Sequence, residues 1–316
     1  MPDTFHLLVP YAASSALPAQ QALQGLALPH LSKLLARLQA EAPDEGDEFT
    51  LTPPHERALA RALGLPHADG LVPWAAWERL RAGQAPDGQA WAFVAPAPWH
   101  VGTGQVTLGE PAALQLDEAA SRDLLAIVAP FFAEDGIALV YERPTRWLAR
   151  GEPLRGLPTA SPDRVTGRSI DIWQPAVPQT RPLRRLQSEI QMLLYTHAFN
   201  EAREAARLPQ VNGFWLHGAG ALDDAPAGEQ PTVAPALREA ALREDWSAWS
   251  RAWQALDAAE VADALARAGR GEPVRITLCG ERRAQSFAGG AAHPFGQRLR
   301  GLFTSPAPAR SVLEHL

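Results

Sequence analysis

The chain has 316 residues, 46% of them hydrophobic and 20% charged, enough to bury a sizeable core in one large domain or two modest ones. Its formal charge of -6 excludes a general nucleic-acid binder, because neutralising phosphates requires clustered cations. Lys33 is the single lysine, so nearly all positive charge is guanidinium, which favours bidentate oxyanion contacts over diffuse attraction.

The single cysteine, Cys279, excludes an internal disulfide and a Cys-rich zinc site, and it fits a reducing cytoplasm. The N-terminal apolar run lacks a basic flank and is too short to span a bilayer, so a cytoplasmic protein with no membrane partner is expected.

In chain order, FHLLVPY (5–11) reads as a buried strand, and Leu31, Leu34, Leu35 and Leu38 recur at helical spacing. EAPDEGDE (41–48) reads as a solvated acidic loop. Thr52 as a cap, Pro53 as first helical residue and Gly64 as terminator frame a helix whose first turn holds His55 and Glu56. Residues 89–108 suggest one or two strands broken by prolines and glycines. Asp117 caps a helix to about Phe132, and IALVYE (137–142) and TRWLAR (145–150) follow as paired strands.

Leu183, Leu186, Ile190, Leu193 and Leu194 give a long amphipathic helix from Pro182. PQVNGFWLHGAGAL (209–222) reads as a strand entering a glycine-rich turn, in which the glycines either admit an anion to the backbone or serve positive φ. There His217 adds a donor that can titrate near neutral pH. DDAPAGEQPTVAP (223–235) has linker composition. Beyond it Trp246, Trp249, Trp253 and Leu256 share a helical face, either core or partner-binding, and VRITLCG (274–280) is a last strand. Strands and helices alternate at both ends, which predicts an α/β core built from 1–114 and 223–316 with an inserted α+β unit at 115–222.

Several stretches resemble one family. HLLVPYAASSALPAQQALQGLALPHLSKLLARL (6–38) is similar to the opening of the archaeal-type cofactor-independent phosphoglycerate mutases. TASPDRVTG (159–167) resembles their Pro-His-Asp-Ile-x-Gly element. THAFNEAREAARLPQVNGFWLHGAG (196–220) resembles His-Pro-x-Asn-x-x-Arg followed by Ala-Asn-x-x-Trp-x-x-Gly-x-Gly. Within this group the chain is most similar to bacterial phosphoglycerate-mutase-like proteins of the RpfE regulatory type. The resemblance implies an alkaline-phosphatase-like core with an inserted domain.

It also implies two divalent metals, Mn or Zn, and a serine nucleophile that carries a phosphoryl group. The pattern departs from this. Tyr11 and Ala12 stand where Asp-Gly ends the first strand, His55 and Glu56 stand at the nucleophile's Ser-Asp pair, and Gly280 and Glu281 replace an Asp-His pair. No Asp lies four residues before a histidine. The central elements match better: Arg146 falls at the Arg of a Tyr-Arg-His element, Asp163 at the Asp of Pro-His-Asp, and Asn200, Arg203 and Asn212 match directly.

The resulting expectation is a regulatory pseudoenzyme without metal or other cofactor. It would bind a phosphorylated or carboxylated metabolite, or a protein partner, through Arg146, Asp163, Asn200, Arg203, Asn212, His217, Gly218 and Gly220. Two alternatives stay open. One is an active metal-dependent mutase or phosphatase using His55, Glu56 and Glu281; the other is an interaction scaffold using the tryptophan-bearing helix.

Overall fold

A computed structural model describes residues 4–85, 87–290 and 309–316. The chain forms two compact units, one of Met1–Gly64 with Gly228–Leu316 and one of Leu65–Ala227. The class is mixed α/β, with one unit assembled from both chain ends, as the alternation of elements predicts. The insertion begins at Leu65, well before residue 115, because the strand at Ala90–Ala97 is central to the second unit's sheet.

The elements in order are β1 (Phe5–Val9), α1 (Leu17–Gln24), α2 (Pro29–Leu35), β2 (Gln39–Ala40), β3 (Asp44–Glu45), α3 (Pro54–Leu63) and α4 (Trp74–Arg81). Then come β4 (Ala90–Ala97), β5 (Trp99–Gly102), β6 (Gln105–Leu108), α5 (Glu118–Glu134), β7 (Ala138–Arg143), β8 (Arg146–Arg150) and α6 (Pro162–Val165). The remainder is α7 (Arg181–Tyr195), α8 (Ala198–Ala205), β9 (Gly213–Ala221), β10 (Thr232–Val233), α9 (Arg238–Leu242), α10 (Trp246–Leu256), α11 (Ala262–Gly269), β11 (Val274–Cys279) and β12 (Arg283–Gly289). A π-turn at Asp257–Val261 joins α10 to α11, and Ala309–Leu313 forms a last short helix. Among the described residues no helix is long and apolar enough to cross a membrane.

In the first unit the sheet runs β10-β1-β11-β12-β2, with β3 also on β12. β1 pairs parallel with β10 and β11, whereas β12 is antiparallel to β11. The period of two sends Leu7, Val9, Ile276 and Leu278 to one core with Leu31, Leu34, Trp249, Trp253 and Leu256. Leu8 and Cys279 face the other way, against Ala58 of α3. Each such buried leucine contributes about 1.5–3 kcal/mol relative to exposure. Trp249 and Trp253 are 1% and 0% exposed, so both pack in the core, the first of the two uses expected for this helical face.

One local expectation shifts. Pro53 is the N-cap of α3 and Pro54 the first helical residue, and Thr52, one position before the cap, is buried. The acidic stretch is largely exposed, as expected, and arginines pair with it: Arg57 and Arg61 with Asp44, Arg275 with Glu41, Arg282 with Glu48 and Arg283 with Glu45. Asp257 on the π-turn caps α2, taking the N–H groups of His30 (3.1 Å) and Leu31 (2.7 Å).

The second unit's sheet is antiparallel, β7-β8-β4-β9. Ala92, Val94, Trp147, Ala149, Phe214 and Leu216 share the face covered by α5 and α7, where Leu124, Val128, Phe132, Leu186, Ile190 and Leu194 meet them. Asp117 caps α5 as expected, its Oδ1 accepting from Ala120 N at 2.8 Å.

Candidate functional site

In the first unit the parallel pairing of β1 and β11 puts their carboxyl ends on one sheet edge, the edge at which open α/β sheets gather ligands. The chain leaves β1 through Pro10 and Tyr11, and Tyr11 takes φ 56°, a left-handed conformation that costs a non-glycine residue about 1–2 kcal/mol. Hydrogen bonds hold it there. Trp249 Nε1 donates to Tyr11 O at 2.9 Å, Trp253 Nε1 to Ala12 O at 3.1 Å, and Ala12 N to Cys279 O at 2.7 Å.

Just beyond this turn Ser14 Oγ donates to Glu281 Oε1 at 2.6 Å and Ser15 Oγ to Glu281 Oε2 at 2.5 Å. Each carboxylate oxygen therefore receives a short, charge-assisted bond from a hydroxyl. Ser14 Oγ also accepts from Ala16 N at 3.2 Å, so it is oriented as a donor toward Glu281. The sequence does not single out these serines; the available signal is a hydroxyl pair just ahead of a proline-initiated helix.

His55 lies in the first turn of α3 with its ring 5.0 Å from that of Tyr11. His55 and Glu56 offer ligand atoms within 4.8 Å of each other. A two-metal centre needs several carboxylate and imidazole ligands around its ions. Among the residues at the ends of β1 and β11, Ala12 and Gly280 offer none and both oxygens of Glu281 accept serine hydroxyls. That set does not fit a pair of divalent ions. Cys279 is fully buried, and burial pushes its thiol pKa up, so it is a core thiol and not a nucleophile.

In the second unit, strand alternation sends Phe93, Arg146, Trp215 and His217 to the face opposite the α5–α7 core. Arg146 lies 4.2 Å over the Phe93 ring and bridges two acids. Its Nη1 and Nη2 donate to Glu78 at 3.2 and 2.6 Å, and its Nε and Nη2 donate to Glu142 at 2.6 and 3.0 Å. Four of its roughly five N–H groups are thus taken. Burial opposes its charge, but the hydrogen bonds it donates to Glu142 and Glu78 outweigh that and raise its pKa.

His217 packs on Phe93 with ring centroids 5.2 Å apart. Burial, reinforced by the nearby Arg146 and Arg143 and partly offset by Asp163, lowers its pKa to about 3. The expectation of a group titrating near neutral pH is therefore corrected: the imidazole is neutral across the physiological range. Among the described residues its ring nitrogens have no hydrogen-bond partner.

Asn200, Arg203 and Asn212 spend their polar groups on main chain. Asn200 Nδ2 donates to Leu194 O (2.8 Å) and Val211 O (2.7 Å), and Val211 N donates back to its Oδ1 at 2.9 Å. Arg203 Nε donates to Pro209 O at 2.8 Å and its Nη2 to Leu114 O. Asn212 grips Trp99 at both main-chain groups, accepting from its N at 2.6 Å and donating to its O at 2.8 Å. Arg146 and Arg203 thus engage different partners and do not present a shared pair of guanidiniums. Asp163 stands in the four-residue α6, where its N–H donates to Ser161 Oγ at 3.2 Å.

Gly218 and Gly220 flank a bulge in the β4–β9 ladder, with φ 63° and 149°. A Cβ on Gly218 would lie 2.9 Å from Trp74 Cβ, and one on Gly220 2.8 Å from Pro73 Cβ. Both glycines let the start of α4 press on the sheet.

No protein-family model matches the chain and no curated protein matches it. Among solved structures it is similar to a cofactor-independent phosphoglycerate mutase from Thermoplasma acidophilum DSM 1728, at 12% identity over 99% of each chain with a TM-score of 0.38. It is also similar to the PH0037 protein from Pyrococcus horikoshii, at 12% identity over 92% of this chain and 88% of that one, with a TM-score of 0.40.

Proposed function

We propose that the chain is a phosphoglycerate-mutase-like regulatory protein that binds a phosphorylated or carboxylated metabolite without turning it over. One observation carries this reading: at the carboxyl edge of the first unit's parallel strands, two serine hydroxyls converge on the carboxylate of Glu281. The spot already accommodates an oxyanion, supplied by the protein itself. A ligand carboxylate or phosphate takes the two hydroxyls by displacing Glu281, and hydroxyl donors that bind an anion without an activating metal supply affinity, not turnover.

The test pairs metal analysis with ligand binding. After incubation with manganese or zinc, elemental mass spectrometry should find no stoichiometric metal, and 3-phosphoglycerate should raise the melting temperature of the wild-type protein. Glu281→Gln, which removes the competing charge, should tighten that binding by about tenfold. Unchanged binding in Glu281→Gln would remove this edge from the reading.

A second reading, a metal-dependent mutase or phosphatase, draws on the proximity of His55 and Glu56. It requires about two tightly held ions per chain and turnover that a chelator abolishes.

A further inference from the structure

Along the outer edge of β9, wholly within the second unit, lies a cleft of about 300 Å³ counted out to its open mouth. Its walls are largely apolar: Pro158, Trp173, Pro175, Leu183, Trp215 and Leu216. Most of the polar groups lining it are matched within the protein. Trp215 Nε1 donates to Ala160 O at 2.9 Å, Gln174 Nε2 to Gln187 Oε1 at 2.9 Å, and Thr180 Oγ1 to Pro175 O at 2.5 Å.

Two groups are left over, and both are donors. Trp173 Nε1 and Arg184 Nε are buried without a hydrogen-bond partner. Trp173 is 2% exposed, and a buried unmade donor costs about 1–3 kcal/mol. Arg184 also carries an uncompensated charge. It donates from Nη2 to Gln174 O at 2.5 Å, but it forms no ion pair among the described residues, and no Asp or Glu lines the cleft.

Two unmet N–H donors, net positive charge and aromatic walls specify the missing group: an anion with two acceptor atoms attached to an apolar body. The inner space is close to the size of one water molecule, so it takes an end group, with the body of the ligand lying toward the mouth. We propose that this cleft binds the carboxylate of a small ligand with a planar or short apolar body, one oxygen accepting from Arg184 Nε and the other from Trp173 Nε1. The site is independent of the serine edge in the first unit.

Phenylacetate serves as probe, and its neutral isostere phenylacetamide as control, against protein labelled with ¹⁵N in its tryptophan indoles. The Trp173 indole signal is identified by its loss in Trp173→Phe. Phenylacetate should shift that signal with a dissociation constant on the order of 1 mM, and phenylacetamide should bind about tenfold more weakly. Arg184→Met should weaken phenylacetate about tenfold, while Trp173→Phe, which keeps the ring and removes only the N–H, should weaken it about threefold to tenfold as read from the remaining indoles.

Should Arg184→Met fail to fold, Trp173→Phe and the amide control decide the matter alone. Equal binding of acid and amide, or a Trp173 signal that phenylacetate leaves in place, would overturn the assignment and leave the cleft as a site for water.

Discussion

Trp249 Nε1 donates to the main-chain carbonyl of Tyr11 at 2.9 Å, so a helix stripe buried in the core also fixes the turn that leaves β1. Trp249→Phe keeps most of the apolar volume and removes the indole donor from that part-buried carbonyl. The expected loss is about 1–3 kcal/mol, read as a lower urea midpoint at unchanged slope. Because Tyr11 is held at φ 56°, the same variant should loosen the neighbouring serines and weaken anion binding at the Glu281 edge.

Asn200 is a second test of side chains acting as main chain. With 2% exposure and three bonds to Leu194 and Val211, it ties α8 to the segment entering β9. Asn200→Ala strands the carbonyl and the N–H of Val211 at once, while Leu194 O keeps His197 N, and is expected to cost about 2–4 kcal/mol. Asn212→Ala, whose partner Trp99 opens the β5–β6 hairpin and where fewer bonds are lost, should cost less. An Asn200→Ala protein as stable as wild type would return this residue to the pool of ligand-binding candidates.

Gly218 and Gly220 invite the same treatment. Alanine at Gly218 meets Trp74 Cβ at 2.9 Å and alanine at Gly220 meets Pro73 Cβ at 2.8 Å, both with positive φ. Each substitution should destabilise by about 1–3 kcal/mol, and calorimetry on the two variants should show Gly220→Ala as the worse, because its Cβ also meets Pro73 Cα of the main chain at 3.2 Å.

The sequence makes the strands β1, β7, β8, β9 and β11 legible, because each is a short apolar run bounded by turn residues. The assembly of one unit from both ends follows from their alternation with helices. What local pattern cannot show is partnership. Nothing in Asn200, Arg203 or Asn212 taken alone says that the partners of their amide and guanidinium groups are carbonyls of their own chain, since the same residue types would serve a ligand. The acidic stretch at 41–48 is exposed as its composition suggests, but its ion pairs with Arg275, Arg282 and Arg283, distant in sequence, cannot be read from it. Ser14 and Ser15 escape notice for the same reason, their acceptor Glu281 lying at the far end of the chain.

Two histidines set the expected acid response. Burial, with Arg275 nearby, lowers the pKa of His6 to about 4; burial, with Arg146 nearby, lowers that of His217 to about 3. In the unfolded chain both take up a proton near pH 6.5. Above that value both states hold them neutral and stability does not change on their account. As pH falls below it, the unfolded state binds protons the folded state refuses, so stability declines until the folded pKa values are reached. Each histidine contributes a slope of up to about 1.4 kcal/mol per pH unit in that window. Urea titrations at a series of pH values should show this decline in the wild type, and His217→Gln and His6→Gln should each flatten it while leaving the plateau above neutrality level. A wild-type profile that stays flat from neutrality down to about pH 5 would mean that these imidazoles are hydrated in the folded protein.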